Sequence, residues 1–371
     1  SEYGDESKVM GLSTFGYPEY TDRLRNIISS QDGSVHLNLE FFTQEDGVGT
    51  NWSEHQPDIS QLYNKNLEHL LGSRRKPGAK ITTRHQNIAS SLQHLTEEII
   101  FPIIEDLYTQ HQIPNLIFTG GLAYNALLNG RIFAETPIKQ VYIPPAPGNS
   151  GLCIGSALAF LGDQAPRSEM LHAFWGPEYE SSQITSMLNQ AAIPYNKLED
   201  PIQTAVDLLV SGKTLGWFQG RMEFGPRSLG NRCILMNPQT PDPHRIKQRD
   251  YLKPFGISIL EDQVSNYFHH GHLSPFMSFM GTIRRKYRGE FENVLMNNFC
   301  RYQSVGPENP LLYKLLKRFH ERTGLFFLIN TSLNPEGDPI IECPSHLISN
   351  LDRMRLDGAI VEDLLIEVNN E

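Results

Sequence analysis

The chain has 371 residues with 39% hydrophobic and 20% charged content, which is the composition of a soluble globular protein with room for two domains of ordinary size; collagen-like, coiled-coil and disordered classes are excluded. A formal net charge of −10 argues against a general nucleic-acid binder, whose phosphate contacts require a basic face, so no nucleic-acid partner is expected. Four cysteines, Cys153, Cys233, Cys300 and Cys343, form no C-x-x-C pair, which indicates neither a zinc site nor a disulfide framework but reduced thiols in the cytoplasm.

In chain order, the first expected element is an alternating strand over 34–39, followed by a long helix over 85–111 carried by Ile88, Leu92, Leu95, Ile99 and Ile103 near helical spacing. A strand over 115–119 then leads through Gly120-Gly121 into a helix reaching Leu128. A second strand, over 140–143, leads through 144–150 into a small-residue helix over 152–161. Repetition of strand, glycine loop and helix is how α/β folds place a ligand at the carboxyl ends of strands. Residues 163–175 have linker composition. Beyond them come helices over 182–192 and 201–211, a buried strand over 214–218, a helix over 311–322 and an apolar strand over 325–329. No apolar stretch approaches the roughly 20 residues that span a bilayer, and the first residues are no signal peptide, so no membrane partner is expected. The segment 267–272 is rich in histidine and reads either as a surface loop or as a metal site.

The densest chemistry lies in Gln219 to Arg232, where three arginines, one glutamate and three glycines follow the strand over 214–218. Glycine lets backbone approach a ligand closely, and arginine forks match phosphate or carboxylate oxygens two at a time, so the run reads as an anion-binding loop. Phe224, Pro226 and Leu229 between the charges suggest a packed loop. Further basic residues come from Lys247-Gln248-Arg249, where Lys247 and Arg249 on an extended segment project to one side, and from Arg301. Asn330 and Ser332, directly after an apolar strand, either cap a turn or orient a ligand.

These motifs carry a resemblance. The stretch from Gly220 resembles the signature of the O-carbamoyltransferases of antibiotic and Nod-factor biosynthesis, which usually reads GRMEFGPRALGNRSI; Ser228 and Cys233 are the departures here. The likeness extends to Glu6 through Leu12, Ile88 through Glu98, Gly120 through Asn125, and Asn330 through Asn334 followed by Gly337 through Ile340. It implies an α/β chain in two parts, 1–165 as the C-terminal part of an actin-like (ribonuclease H-like) carbamoyl-transfer domain and 174–371 as a YrdC-like domain that forms carbamoyl-adenylate. The implied reaction uses ATP and carbamoyl phosphate and passes the carbamoyl group to a hydroxyl of a natural-product acceptor. The alternative is a non-catalytic nucleotide-binding subunit of such a complex.

The resemblance implies catalytic roles for Arg227, Lys247, Arg249 and Arg301, with Arg221, Asn330 and Ser332 binding nucleotide or carbamoyl phosphate. Gly120 and Gly121 match the adenosine-binding turn of the actin-like fold, Asn125 contacts nucleotide or caps a helix, and Glu223 pairs with a neighbouring arginine. A divalent metal, iron or magnesium, belongs to the family pattern, yet Asn149 stands in the ligand loop where an aspartate is usual, and no H-x-x-x-H pair precedes it. From that absence a complementary N-terminal lobe, as a separate chain or a cleaved segment, is expected as partner.

Overall fold

The computed structural model describes residues 6–31, 33–43, 51–53, 56–58, 62–167, 170–241, 243–247 and 252–368. Two units emerge, one of Ser1–Pro114 with Ile132–Lys139 and the other of Asn115–Arg131 with Gln140–Glu371.

The first unit is organised by the helix Thr83–His111. Its start is closed by a capping box, in which the Thr82 backbone N–H donates to His85 Nδ1 at 3.0 Å. Leu95 and Ile99 bury against Leu24 and Ile27, whereas Leu92 of the same expected stripe stays 41% exposed. The expected strand over 34–39 forms as Ser34–Leu37, paired antiparallel with Ile28–Gln31.

The second unit is built on a ten-stranded mixed sheet. Across it lie Phe268–His269, Phe279–Ile283, Phe299–Val305, Gly256–Leu260, Phe327–Ser332, Arg232–Met236, Leu215–Phe218, Gly358–Val361, Leu364–Glu367 and Asn196–Lys197. The pairs Gly256–Leu260 with Phe299–Val305 and Leu215–Phe218 with Gly358–Val361 are parallel; the other pairings are antiparallel. The helices Pro201–Val210 and Pro310–Thr323, each opened by proline after an Asp or Asn cap, pack Val206, Leu209, Leu315 and Phe319 into one cluster with Leu215, Leu235, Leu260, Val305 and Leu328.

That packing sets up the site. Side chains two apart on a strand share a face, so Ser258, Gln303 and Asn330 continue the row of Leu260, Val305 and Leu328. One face of the sheet therefore changes from apolar to polar along its length. The strand expected over 325–329 starts at Phe327 and runs on to Ser332, which places Asn330 and Ser332 inside it instead of in a turn. Separately, Asn115–Ile117 pairs in parallel with Gln140–Tyr142, and the helix expected after Gly121 begins only at Ala126, behind a 3-10 turn over Gly121–Tyr124.

Candidate active site

The loop between Phe218 and Arg232 is folded around its own glutamate. Glu223 Oε1 accepts the backbone N–H groups of Leu229 and Asn231, each at 2.7 Å, and of Arg232 at 3.1 Å. Three converging donors make a fixed cradle for a negative charge, filled here from within the chain. Glu223 Oε1 is thus spent on backbone, while its charge also acts on Arg232, a neighbouring arginine of the kind expected as its partner. Gly225 (φ +112°) and Gly230 (φ +126°) hold the curve, and a Cβ on Gly230 would lie 2.2 Å from Asn309 Nδ2.

The arginines of this loop separate into different jobs. Arg232 is fully buried; its Nη1 donates to the carbonyls of Gln219 (2.8 Å) and Asn231 (3.0 Å), its Nη2 donates to that of Gly220 (3.0 Å), and its guanidinium carbon sits 3.5 Å from the centroid of Phe218. Burial pushes its pKa down, opposed by Glu223 and Glu362. It is a structural pin. Arg221 lies at the surface, with Nη1 3.1 Å from Glu178 Oε1 and Nη2 donating to the Trp175 carbonyl. Arg227, between them, is half-buried.

Lys247 ends the short helix His244–Lys247, so it does not stand on the extended segment expected for it, and Arg249 lies outside the described residues. Its Nζ donates to Ser332 Oγ at 3.0 Å and to Asn334 Oδ1 at 2.7 Å. Ser332 and Lys247 are therefore brought together as the motifs imply. Asn334, which had been given no role, joins them; the spacing Ser332-x-Asn334 was the signal that could have marked it.

Asn330 is 1% exposed, and its amide is engaged by protein. Its Nδ2 donates to Ser258 Oγ at 2.8 Å, and its Oδ1 accepts from Ser228 Oγ at 3.0 Å. Arg301 is also buried, donating through Nη2 to the Pro254 carbonyl at 3.0 Å. It stands opposite Gly256, which stands opposite Asn330, so the two share one row across three strands with a glycine between.

In the strand, turn and helix that follow residue 114, Gly120 adopts φ +95°, and a Cβ on Gly120 or Gly121 would meet no atom within 4 Å. Packing does not demand glycine there, and the space above the turn is open. Asn125 caps the helix, its Oδ1 accepting the Leu128 N–H at 3.0 Å. Asn149 opens the exposed turn Asn149–Gly151. Among the described residues no group of three or more His, Cys, Asp or Glu side chains is placed to hold a metal ion, the histidines of 269–272 included. Among the described residues no helix is long and apolar enough to cross a membrane.

Comparison with known proteins gives the family. The model described as Carbamoyltransferase N-terminus matches residues 1–158, and that described as Carbamoyltransferase C-terminus matches residues 206–368. The N-terminal match gives no support to the expectation of a complementary lobe as partner. The chain is 31% identical to the uncharacterized protein sll1178 of Synechocystis over 97% of its own length and 63% of that protein's. It is 30% identical to the nodulation protein NolO of Bradyrhizobium diazoefficiens over 98% of its length and 65% of that relative's. With the 3'-hydroxymethylcephem-O-carbamoyltransferase of Streptomyces clavuligerus it shares 26% identity over 77% of its length and 54% of that enzyme's. The chain thus spans between half and two thirds of the length of these relatives.

Proposed function

The chain belongs to the O-carbamoyltransferase family, and on that premise we propose that it forms carbamoyl-adenylate from carbamoyl phosphate and ATP and passes the carbamoyl group to a hydroxyl of a natural-product acceptor. The observation that supports this best is the convergence of Lys247, Ser332 and Asn334 at the end of the strand Phe327–Ser332. An ammonium held between a hydroxyl and an amide is preorganised to neutralise phosphate oxygens, and fixed cations are what such a transition state demands.

Atoms balance in two stages. Water takes the phosphoryl group of carbamoyl phosphate as inorganic phosphate, leaving carbamate, whose oxygen attacks the α-phosphorus of ATP and displaces pyrophosphate. The acceptor hydroxyl then attacks the carbamoyl carbon, and AMP leaves with the bonding electron pair. In this reading Lys247, Arg227 and Arg249 neutralise phosphate oxygens, with Arg301 adding to the positive potential. Gly120 and Gly121 leave room for a nucleotide to lie against the backbone. The second unit's mixed sheet is read as YrdC-like and the region before residue 165 as actin-like. No step passes through a metal.

The test is direct detection of the intermediate. Carbon-13 NMR of the chain incubated with ATP and carbonyl-labelled carbamoyl phosphate should show a carbamoyl resonance coupled to a single phosphorus that belongs to AMP. Label recovered only as carbamate and bicarbonate would overturn the proposal.

A further inference from the structure

We propose that Ser228 and Asn330 form a positioning clasp that sets the Arg227 loop against Lys247 and Ser332. This rests on the phosphate-binding reading of that site. The clasp has two bonds of opposite sense: Ser228 Oγ donates to Asn330 Oδ1 at 3.0 Å, and Asn330 Nδ2 donates back to the Ser228 carbonyl at 3.4 Å. Both residues are buried.

The next loop residue is held by the same network. Gln303 Nε2 donates to the Leu229 carbonyl at 2.6 Å, and Asn309 Nδ2 reaches the same oxygen at 2.8 Å. Gln303 Oε1 in turn accepts from Ser258 Oγ at 2.8 Å, and that oxygen accepts from Asn330 Nδ2. Two consecutive loop carbonyls are thereby seated on side-chain amides, two of them from the sheet, one residue beyond Arg227. Asn330 and Ser332 share a strand face, and Ser332 accepts from Lys247. A short chain of bonds, Arg227 to Ser228 to Asn330 to Ser332 to Lys247, fixes two cations relative to one another.

Packing alone does not require this arrangement. The same sheet face is filled with Leu260, Val305 and Leu328 a few residues away, and apolar side chains would close the loop contact as well. A fully satisfied buried polar network instead selects one geometry. Reacting groups gain most from such a restriction, because displacement by about 1 Å can cost on the order of a hundredfold in rate. Asn330 is a positioning residue on this account, since its amide already meets protein partners.

Cys233 supplies the control. It lies opposite Ser332 in the register, its sulfur accepts the Gly230 N–H at 3.2 Å, and Ser228 and Asn330 both reach the thiol. A hydroxyl at position 233 can therefore take up a bond with Asn330 when the one at 228 is removed. In the 371-residue chain, Ser228→Ala should slow carbamoyl-phosphate-dependent pyrophosphate release by about tenfold to a hundredfold with KM for ATP nearly unchanged, and Ser228→Ala/Cys233→Ser should recover most of the rate. Hydrogen exchange at the amides of 227–231 should quicken in the single variant and return towards wild type in the double one, while exchange in the core strands stays unchanged. Wild-type rate and exchange in Ser228→Ala would overturn the clasp, as would a loss that the double variant fails to repair. A wild-type chain releasing no pyrophosphate would instead count against the functional reading, and the exchange pattern would then decide the clasp by itself.

Discussion

Lys247 Nζ and Asn334 Oδ1 meet at 2.7 Å although the residues are 87 apart in sequence, one closing a helix of four residues and the other lying two residues past the end of a strand. The contact predicts an asymmetric response to charge. Asn334→Asp would give the ammonium a carboxylate in place of an amide while removing the bonds that Nδ2 donates to the Pro335 and Asp338 carbonyls, so the chain should stay folded, at a cost of about 1 to 3 kcal/mol, yet bind carbamoyl phosphate or ATP about tenfold or more weakly. Titration calorimetry with each ligand checks this, and unchanged affinity would remove Lys247 from the anion site.

Glu223 should matter more for stability than for chemistry. Glu223→Ala leaves three buried N–H groups without their acceptor, at about 1 to 3 kcal/mol each before water relieves any, so a loss of about 3 to 5 kcal/mol is expected. Glu223→Gln keeps the accepting oxygen and replaces only Oε2, which has no hydrogen-bond partner, so it should cost clearly less. Urea unfolding of the two variants measures the difference; equal losses would show that the cradle is not what holds the loop.

The three loop arginines should give three distinct outcomes. Arg221→Ala removes one exposed ion pair and should change stability by less than about 1 kcal/mol. Arg232→Lys loses the flat stack on Phe218 and the fork across three carbonyls, and should destabilise by about 2 to 4 kcal/mol. Arg227→Ala should leave the melting temperature nearly unchanged while lowering turnover about a hundredfold. Melting curves paired with rate measurements separate the three, and a turnover loss in Arg221→Ala larger than in Arg227→Ala would reverse the assignment.

Alkaline pH offers an independent check on the core. Burial pushes the thiols of Cys233 and Cys300 up from 9.0 and the Tyr302 phenol up from 10.0. Above those values the unfolded chain releases protons that the folded chain retains, so the folded state binds more protons and stability falls as pH rises. The contribution is fully present below pH 9. Each group adds about 1.4 kcal/mol per pH unit to the slope once its unfolded form has ionised. Denaturation midpoints should decline from about pH 9 upward, less steeply in Cys233→Ala, whereas a flat profile would mean the thiols are not excluded from solvent.

Local patterns in the sequence were enough to locate several elements. The helices Thr83–His111, Leu152–Leu161, Pro201–Val210 and Pro310–Thr323 and the strand Leu215–Phe218 are carried by apolar spacing and caps within a few residues of one another. Strands such as Gly256–Leu260 and Phe299–Val305 are buried on both faces, so they lack the alternation that makes a strand visible. The site divides along the same line. Lys247 could be singled out because an ammonium is costly to bury without a partner, whereas its meeting with Ser332 and Asn334 depends on contacts far apart in sequence. Arg232 was unreadable because a glycine-rich basic run looks alike whether its guanidinium faces a ligand or its own carbonyls. Asn330 and Ser228 depended on which strand neighbours which, and no local pattern carries that.

The central claim is that Lys247 serves adenylation of a carbamoyl group, and pyrophosphate release tests it most directly. With ATP present, the 371-residue chain should release pyrophosphate only when carbamoyl phosphate is added, with one inorganic phosphate formed for each pyrophosphate, and Lys247→Ala should abolish the release while the protein stays folded. Pyrophosphate release that ignores carbamoyl phosphate, or a Lys247→Ala variant that retains the wild-type rate, would contradict it.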